Sequence, residues 1–237
     1  MCNGFAYSGD ELELFGNAIN WKTYWSNFVR PFVGKTVLDV GAGIGSTAEL
    51  FVATNIESWL CIDPDSSHCD SIKHKINVGL LPDVISVKTC TSIDLDASEV
   101  FDTILYIDVL EHIEDDAKEL NVAASLLSKG GHLIVISPAH QWLYSPFDEK
   151  IGHFRRYSKS SLRNIMPVNL TVEHIRYIDS VGLFASMANK LILKATDPSL
   201  RQILMWDRRM IPLSVIFDPY LRYAVGKSLV GVFKKQR

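Results

Sequence analysis

Apolar and polar positions divide the chain into short apolar runs separated by longer mixed segments. Val37, Leu38 and Val40 form a β-branched run that predicts a buried parallel strand. Comparable runs follow at 59–63, 84–90, 103–107 and 132–137, with helical patterns at 46–53, 65–78 and 116–128 between them. Strands alternating with helices in this way specify an α/β chain with a mostly parallel sheet. Lys129-Gly130-Gly131 is predicted to turn the chain ahead of the fifth strand, and Pro138 stops that strand. Residues 171–179 alternate as a sixth strand, and 226–234 read as the last one.

The flanking segments have a different pattern. Residues 1–34 form a helical lead-in, dense in aromatics from Asn20 to Trp25, with Phe28, Val29 and Phe32 continuing the apolar stripe. Such a helix is expected to pack on the sheet. The sharper alternative is a flap in which Trp21 or Tyr24 closes over a ligand. Arg30-Pro31 ends the helix. Residues 35–180 make the core, 181–226 a helical insertion, and 227–237 the final strand and tail. The insertion carries Met187, Leu191, Leu204, Met205 and Trp206, and Pro198, Pro212 and Pro219 are expected to break it. It would cap the substrate side or make a dimer contact, so a monomer or homodimer is expected, with its Met and aromatic residues serving as core. Lys234, Lys235 and Arg237 read as a solvated tail.

Composition narrows the class. The 237 residues suit one domain with insertions, and 47% hydrophobic with 22% charged residues is ordinary globular usage. A net charge of −3 gives no footprint for a nucleic-acid partner. Cys2, Cys61, Cys69 and Cys90 lack zinc-ribbon spacing and read as reduced thiols. His68, Cys69 and His74 fit a solvated helix face better than a ligand set, so no metal is expected. Asp10, Glu11 and Glu13 interrupt any signal peptide, and no long apolar window occurs; a soluble, cytoplasmic protein with no transmembrane segment is expected.

The chemistry begins where the first strand ends. Gly41, Gly43 and Gly45 form a tight turn, and glycines there let backbone N–H groups approach a ligand. Asp39 places a carboxylate at the strand–loop junction, which suits a nucleotide-type cofactor with a cationic part. From Gly41 the spacing is G-x-G-x-G, a form associated with S-adenosylmethionine. From Gly43 it also fits G-x-G-x-x-A, a dinucleotide fingerprint with Asp63 as the downstream acid, which makes an NAD(P)-dependent oxidoreductase the first rival. Asp63-Pro64 ends the second strand, where a carboxylate can accept two ribose hydroxyls. Thr91 and Ser92 end the third, as an adenine contact or a simple turn. Asp108, Glu111 and His112 lie at the crevice edge, whereas Glu114, Asp115 and Asp116 suit the start of a helix.

Read in order, Val37–Gly45, Cys61-Ile-Asp-Pro64, Ile107-Asp-Val-Leu-Glu-His112 and Leu127–Val135 resemble the motifs of class I S-adenosylmethionine-dependent methyltransferases over about residues 15–180. The resemblance counts against a dehydrogenase, whose fingerprint would not predict the Asp-Val-Leu-Glu-His stretch. It implies a Rossmann-like α/β fold: a seven-stranded, mostly parallel sheet with helices on both faces, an antiparallel final strand, and the helical insertion just before it. It also implies S-adenosyl-L-methionine as cofactor. Asp39 would then lie near its ammonium group, Gly41, Gly43 and Gly45 along its methionyl part, and Asp63 on its ribose. Asp108 and Val109 would flank the sulfonium, with His112, Pro64, Thr91 and Ser92 completing the cofactor side.

The segment from His140 to Ser158 is long, aromatic and mixed in charge. It is similar to the Asp…Gly-His-x-Arg-Arg-Tyr segment of a methyltransferase subgroup associated with saccharide, polysaccharide and secondary-metabolite pathways. Candidate acceptor contacts are His140, Asp148, His153, Arg155, Arg156 and Tyr157. The arginines would clamp an anionic acceptor group, or pair with Asp148 or Glu149 to hold the loop. Candidate bases are His112, His140 and His153, while His132 and His174 fall in strands and read as structural. The expected function is O-methylation of a small-molecule or saccharide acceptor. A methyltransferase-like protein that binds without turnover is the second rival.

Overall fold

The computed structural model describes residues 15–51, 55–188 and 199–236. Its strands are β1 (Thr36–Val40), β2 (Ser58–Asp63), β3 (Ile85–Thr89), β4 (Phe101–Ile107), β5 (Leu127–Pro138), β6 (Leu170–Ile178) and β7 (Ser228–Lys235). They form one sheet in the order β3-β2-β1-β4-β5-β7-β6. β1 to β5 pair in parallel, and β7 runs antiparallel to both its neighbours. The helices are α1 (Ile19–Val29), α2 (Ser46–Phe51), α3 (Ser66–Asn77), α4 (Asp116–Leu126), α5 (Pro146–Lys150), α6 (Lys159–Asn164), α7 (Ser180–Ala188), α8 (Leu200–Met205) and α9 (Ile211–Tyr220). The seven-stranded, mostly parallel sheet expected from the sequence is therefore present.

Because successive side chains alternate across a strand, the fully apolar central strands feed two cores. On one face Val37, Trp59, Cys61, Leu105 and Ile134 pack against Trp25, Val29, Phe51 and Ile72, together with Trp206 and Ile211 of the insertion. On the other, Leu38, Leu60, Ile104, Tyr106 and Leu133 pack against Leu120, Ala123 and Leu162. Each such side chain contributes about 1.5–3 kcal/mol by leaving water. Cys61, Cys69 and Cys90 are free thiols. Among the described residues no helix is long and apolar enough to cross a membrane.

Four expectations change. Lys129-Gly130-Gly131 is absorbed into β5 as an irregularity between the pairs Phe101–Leu127 and Thr103–His132, rather than forming a separate turn. Pro212 and Pro219 do not break the insertion. Trp206–Met210 is a π-helical stretch running directly into α9, Pro212 sits in the first turn of α9, and Pro219 lies in its last turn. A wider turn just before a proline accommodates the missing N–H and the ring. Lys235 is not a solvated tail, since its Nζ donates to the Ala124 and Leu127 carbonyls (2.7 and 2.5 Å) at the end of α4. Leu191, Pro198, Cys2, Arg237 and the last residues predicted for the helix at 46–53 lie outside the described residues.

The fourth change concerns what fastens the insertion. Apolar packing is joined by three buried acids, Asp179, Asp207 and Asp218. Asp207 accepts from the Trp21 and Asn20 amides (2.8 and 3.3 Å), capping α1 from a distance. Asp218 accepts from the Asp179 and Ser180 amides (2.7 and 3.0 Å) and from the Tyr24 hydroxyl at 2.8 Å. The lead-in, the end of β6 and the insertion are thus tied by charge-assisted hydrogen bonds.

Gly226 lies where β7 begins, pressed against β6. A Cβ there would overlap the Ile178 carbonyl group and stand 2.6 Å from the Ile178 nitrogen. Those are backbone atoms and cannot rotate away. Gly226→Ala is expected to destabilise the protein by about 1–3 kcal/mol, read as a lower urea midpoint. An unchanged midpoint would contradict this packing.

Candidate active site at the carboxyl ends of the strands

In a doubly wound sheet, ligands bind across the carboxyl ends of the strands. Here Asp39 is in the last turn of β1, Asp63 ends β2, Asp108 follows β4, His140 follows β5 and Asp179 follows β6. Three of these hold positive φ without being glycine: Asp108 (54°), His140 (68°) and Asp179 (66°). Such backbone strain costs about 1–3 kcal/mol per residue and gathers where side chains are aimed at a ligand.

The glycine loop forms one half of the crevice. Gly41 has φ 63°, and a Cβ on it would stand 2.7 Å from Val109 Cγ2, so the bare loop packs directly against the segment after β4. Asp63 holds the loop from below. Its Oδ2 accepts from the Gly43 amide at 2.8 Å, and its Oδ1 from the Asp65 amide at 2.9 Å, with His68 Nδ1 at 3.2 Å. Oδ2 retains a lone pair for a further donor. Asp39 is 1% exposed, its Oδ2 has no hydrogen-bond partner, and burial pushes its pKa up to about 8. A buried carboxylate in that condition calls for a cationic partner. An ammonium beside Asp39 and ribose hydroxyls on Asp63 meet these needs, so the chain's residues fit S-adenosylmethionine.

Three other residues on the expected cofactor side, Thr91, Tyr24 and Trp21, are committed elsewhere. Thr91 is engaged by Asp94, which accepts from its amide (2.9 Å) and hydroxyl (2.7 Å), so the simple-turn reading describes its geometry. Ser92 is buried with its Oγ unpartnered. Tyr24 spends its hydroxyl on Asp218, and Trp21 is buried with its ring 5.7 Å from that of Trp206. Both are fixed by the insertion. The packed-helix reading replaces the flap.

The second half comes from the segment after β5. Asp148, 1% exposed, is its hub: it accepts from Arg156 Nε (2.8 Å) and Nη2 (2.9 Å), from the Ser145 amide and hydroxyl, and pairs with His153 Nδ1 at 2.9 Å. Burial works against its charge, but the His153 and Arg156 contacts prevail and hold the carboxyl well below the usual range. Arg155 pairs with Asp116 at 2.6 Å, and the Tyr157 hydroxyl donates to the same carboxylate at 2.6 Å. Asp148, Arg155, Arg156 and Tyr157 therefore shape the loop. The anion clamp expected of the arginines gives way to the loop-holding alternative, with Asp116 in place of Glu149 for Arg155. Fixed side-chain geometry favours this, because the planar guanidinium of Arg156 finds a bidentate carboxylate within its own loop.

His153 is the exception in that segment. Its Nε2 points to Glu111 Oε1 at 3.9 Å, and its ring meets His112 edge-on with centroids 4.5 Å apart. Glu111 is fully buried; its Oε2 accepts from Ser137 Oγ at 2.5 Å, while Oε1 has no hydrogen-bond partner. Burial, reinforced by Asp108, raises the Glu111 pKa. Burial, reinforced by His153, lowers that of His112 to about 4. Asp108 is open to solvent at the end of β4, and desolvation raises its pKa to about 6 against the opposing charges of His153 and Lys227. His140 is set in the wall, with Nε2 3.0 Å from the Gly226 carbonyl and its ring stacked 4.6 Å from Tyr177. His132, within β5, pairs with Glu173 at 2.8 Å.

Sequence reasoning missed Lys227 and Asp179. Lys227 Nζ sits 4.7 Å over the Trp206 ring. Burial lowers its pKa, opposed by Asp179, and Arg156 and Asp108 are among the charges it senses. Read along the chain, Lys227 is only the first polar residue before an apolar strand. Asp179 had a signal, since it ends a strand with an acid as Asp63 does.

The profile of a methyltransferase domain matches residues 22–176. The ubiquinone biosynthesis O-methyltransferase of Rhodopseudomonas palustris (strain HaA2) is 28% identical over 109 residues, covering 46% of this chain and 42% of that protein. The chain thus aligns with under half the length of the curated relatives it matches. Among solved structures, coclaurine N-methyltransferase bound to N-methylheliamine and S-adenosylhomocysteine superposes with a TM-score of 0.63 at 17% identity, covering 92% of this chain and 72% of that one. The N-methyltransferase NodS from Bradyrhizobium japonicum WM9 with S-adenosylhomocysteine gives 0.61 at 13% identity, covering 98% and 95%. The match spans well over half the chain and coincides with the glycine loop, Asp63 and the crevice just described. The chain therefore belongs to the methyltransferase-domain family, the S-adenosylmethionine-dependent transferases whose motifs its sequence carries.

Proposed function

We propose that this protein transfers a methyl group from S-adenosylmethionine to an oxygen of a small-molecule or saccharide acceptor. The observation that carries the reading is the pairing of two half-sites. The glycine loop, with Asp39 and Asp63, stands on one side of the Gly41–Val109 contact, and the carboxylate–imidazole cluster of Asp108, Glu111, His112 and His153 stands on the other. When bound, the cofactor supplies an electrophilic methyl on a sulfonium centre. Asp39 would hold its ammonium, the loop amides and Asp63 would hold its methionyl and ribose parts, and Val109 and Asp108 would flank it.

The chain's own contribution is position and proton control. Holding an acceptor oxygen and a methyl carbon in line is worth up to roughly 7–11 kcal/mol. A hydroxyl acceptor must also lose a proton, which adds about 10²–10⁴-fold when a positioned group takes part. The cluster of buried Glu111 with half-buried His112 and His153 is where that proton is handled, with His140 held on the Gly226 carbonyl and Lys227 among the charges near Asp108. An oxygen acceptor agrees with the O-methyltransferase relatives, and a saccharide or other polar metabolite agrees with the segment containing His153.

The deciding experiment incubates the purified protein with methyl-labelled cofactor and fractionated cell extract. Label in a small hydroxylated compound is the expected result. Label in protein or nucleic acid, or no transfer although S-adenosylhomocysteine binds, would overturn the acceptor assignment.

A further inference from the structure

We infer that Glu111, His112 and His153 form a binding site for one divalent transition-metal ion of the zinc or manganese class, on the acceptor side of the crevice. One carboxylate and two imidazoles is a donor set suited to such ions, and it leaves coordination positions open for an outside oxygen. The three donor atoms lie within 4.8 Å of one another, and the His153 Nε2–Glu111 Oε1 pair is already at 3.9 Å. An ion about 2.1 Å from each donor holds donors about 3–4 Å apart, so small ring rotations complete the site.

The surroundings favour a cation over a plain hydrogen-bonded cluster. Asp148 Oδ1 lies 2.9 Å from His153 Nδ1, and with the ring proton on Nδ1 the inward-facing Nε2 has its lone pair for an ion. The Gly152 backbone bonds the His112 ring. Ser137 donates to Glu111 Oε2, leaving Oε1 fully buried with no hydrogen-bond partner. A buried carboxylate oxygen without a donor is costly, and an ion satisfies it directly. Each proposed ligand is thus oriented by an outer partner, the pattern found around metal-bound histidines and carboxylates.

The binding site rests on this geometry alone; its role rests on the methyl-transfer reading. An acceptor hydroxyl entering an open position would give up its proton to solvent more readily than a free one, leaving oxygen lone pairs for the methyl carbon.

The test uses the full chain after chelator treatment, titrated with Zn²⁺ by calorimetry and with Co²⁺ by visible absorption. One ion per chain is expected, with ligand-field bands for Co²⁺. Glu111→Gln and His153→Ala should each weaken binding at least 100-fold, Asp148→Asn about 10–100-fold, and His74→Ala should leave it unchanged. Failure to bind either ion, or binding that survives both Glu111→Gln and His153→Ala, overturns the inference. S-adenosylhomocysteine affinity is measured in parallel on the chelator-treated protein. If it is retained and methyl transfer proceeds at the same rate without metal, the metal's part in the reaction falls and the methyltransferase reading stands. If it is absent even with metal restored, the reading itself fails.

Discussion

Asp63→Ala should lower the affinity for S-adenosylhomocysteine by two to three orders of magnitude. Two effects add. The carboxylate that would take the ribose hydroxyls is lost, and hydrogen bonds to a charged group are worth about 1.5–3 kcal/mol each. The same carboxylate also accepts from the Gly43 amide at 2.8 Å, so its removal frees the turn that must stay in shape to meet the cofactor. Asp63→Asn keeps the size and loses the charge, and should fall between. Calorimetry with the demethylated cofactor product reads the change, with thermal denaturation as a check on folding. Affinity within threefold of the parent would remove Asp63 from the site.

The second large effect is on stability. Asp148→Ala is expected to cost about 3–5 kcal/mol, the usual penalty for breaking a buried ion pair by removing one partner. Arg156 has only 11% of its side chain exposed, and it would lose both of its bonds to that carboxylate. Ser145 and His153 would lose theirs as well. Arg156→Ala should cost a similar amount, and the double variant clearly less than the sum, because both single changes strand the same contact. Urea denaturation of the four proteins closes the cycle. Strict additivity would show that the pair is not coupled. His153 also loses its orienting partner in Asp148→Ala, so methyl transfer should fall even at temperatures where the variant remains folded.

The comparison of these two acids shows what kind of information each level carries. Asp63 can be read from the chain because its environment is local: a short apolar strand, an acid at its end, and a glycine turn about twenty residues earlier. Asp148 also stood out, but its role did not. Along the sequence it is one acid in a polar, aromatic stretch, and Arg155 and Arg156 look equally suited to an acceptor or to each other's neighbours. Only the folded loop distinguishes them, because a guanidinium that has a bidentate partner in its own segment has little left to offer a ligand.

The insertion makes the same point with apolar residues. Its Met and aromatic content suggested packing, and Trp206 does lie in the core, but Met205, Phe184 and Phe217 are exposed, so that expectation holds only in part. The acids that hold it, Asp179, Asp207 and Asp218, are separated in sequence from the amides and hydroxyls they bind, so no periodicity reports them. The π-helical stretch before Pro212 escaped for a related reason, since a proline in a helix reads as a break unless the preceding turn is known to be wide.

What the sequence determined by itself was the frame: seven strands, their succession, the glycine turn and the acids at strand ends. Strand and helix periodicity and turn chemistry act between residues close together in the chain, so they are written there. Tertiary structure alone decided which polar groups remain available at the crevice and which are consumed in holding it. That division depends on desolvation and on partners brought together from distant segments: Glu111 with Ser137 and His153, and Lys227 with Asp179 and Trp206. Burial and partnering are properties of the packed chain, and they turn the same histidines, arginines and acids into scaffold or chemistry.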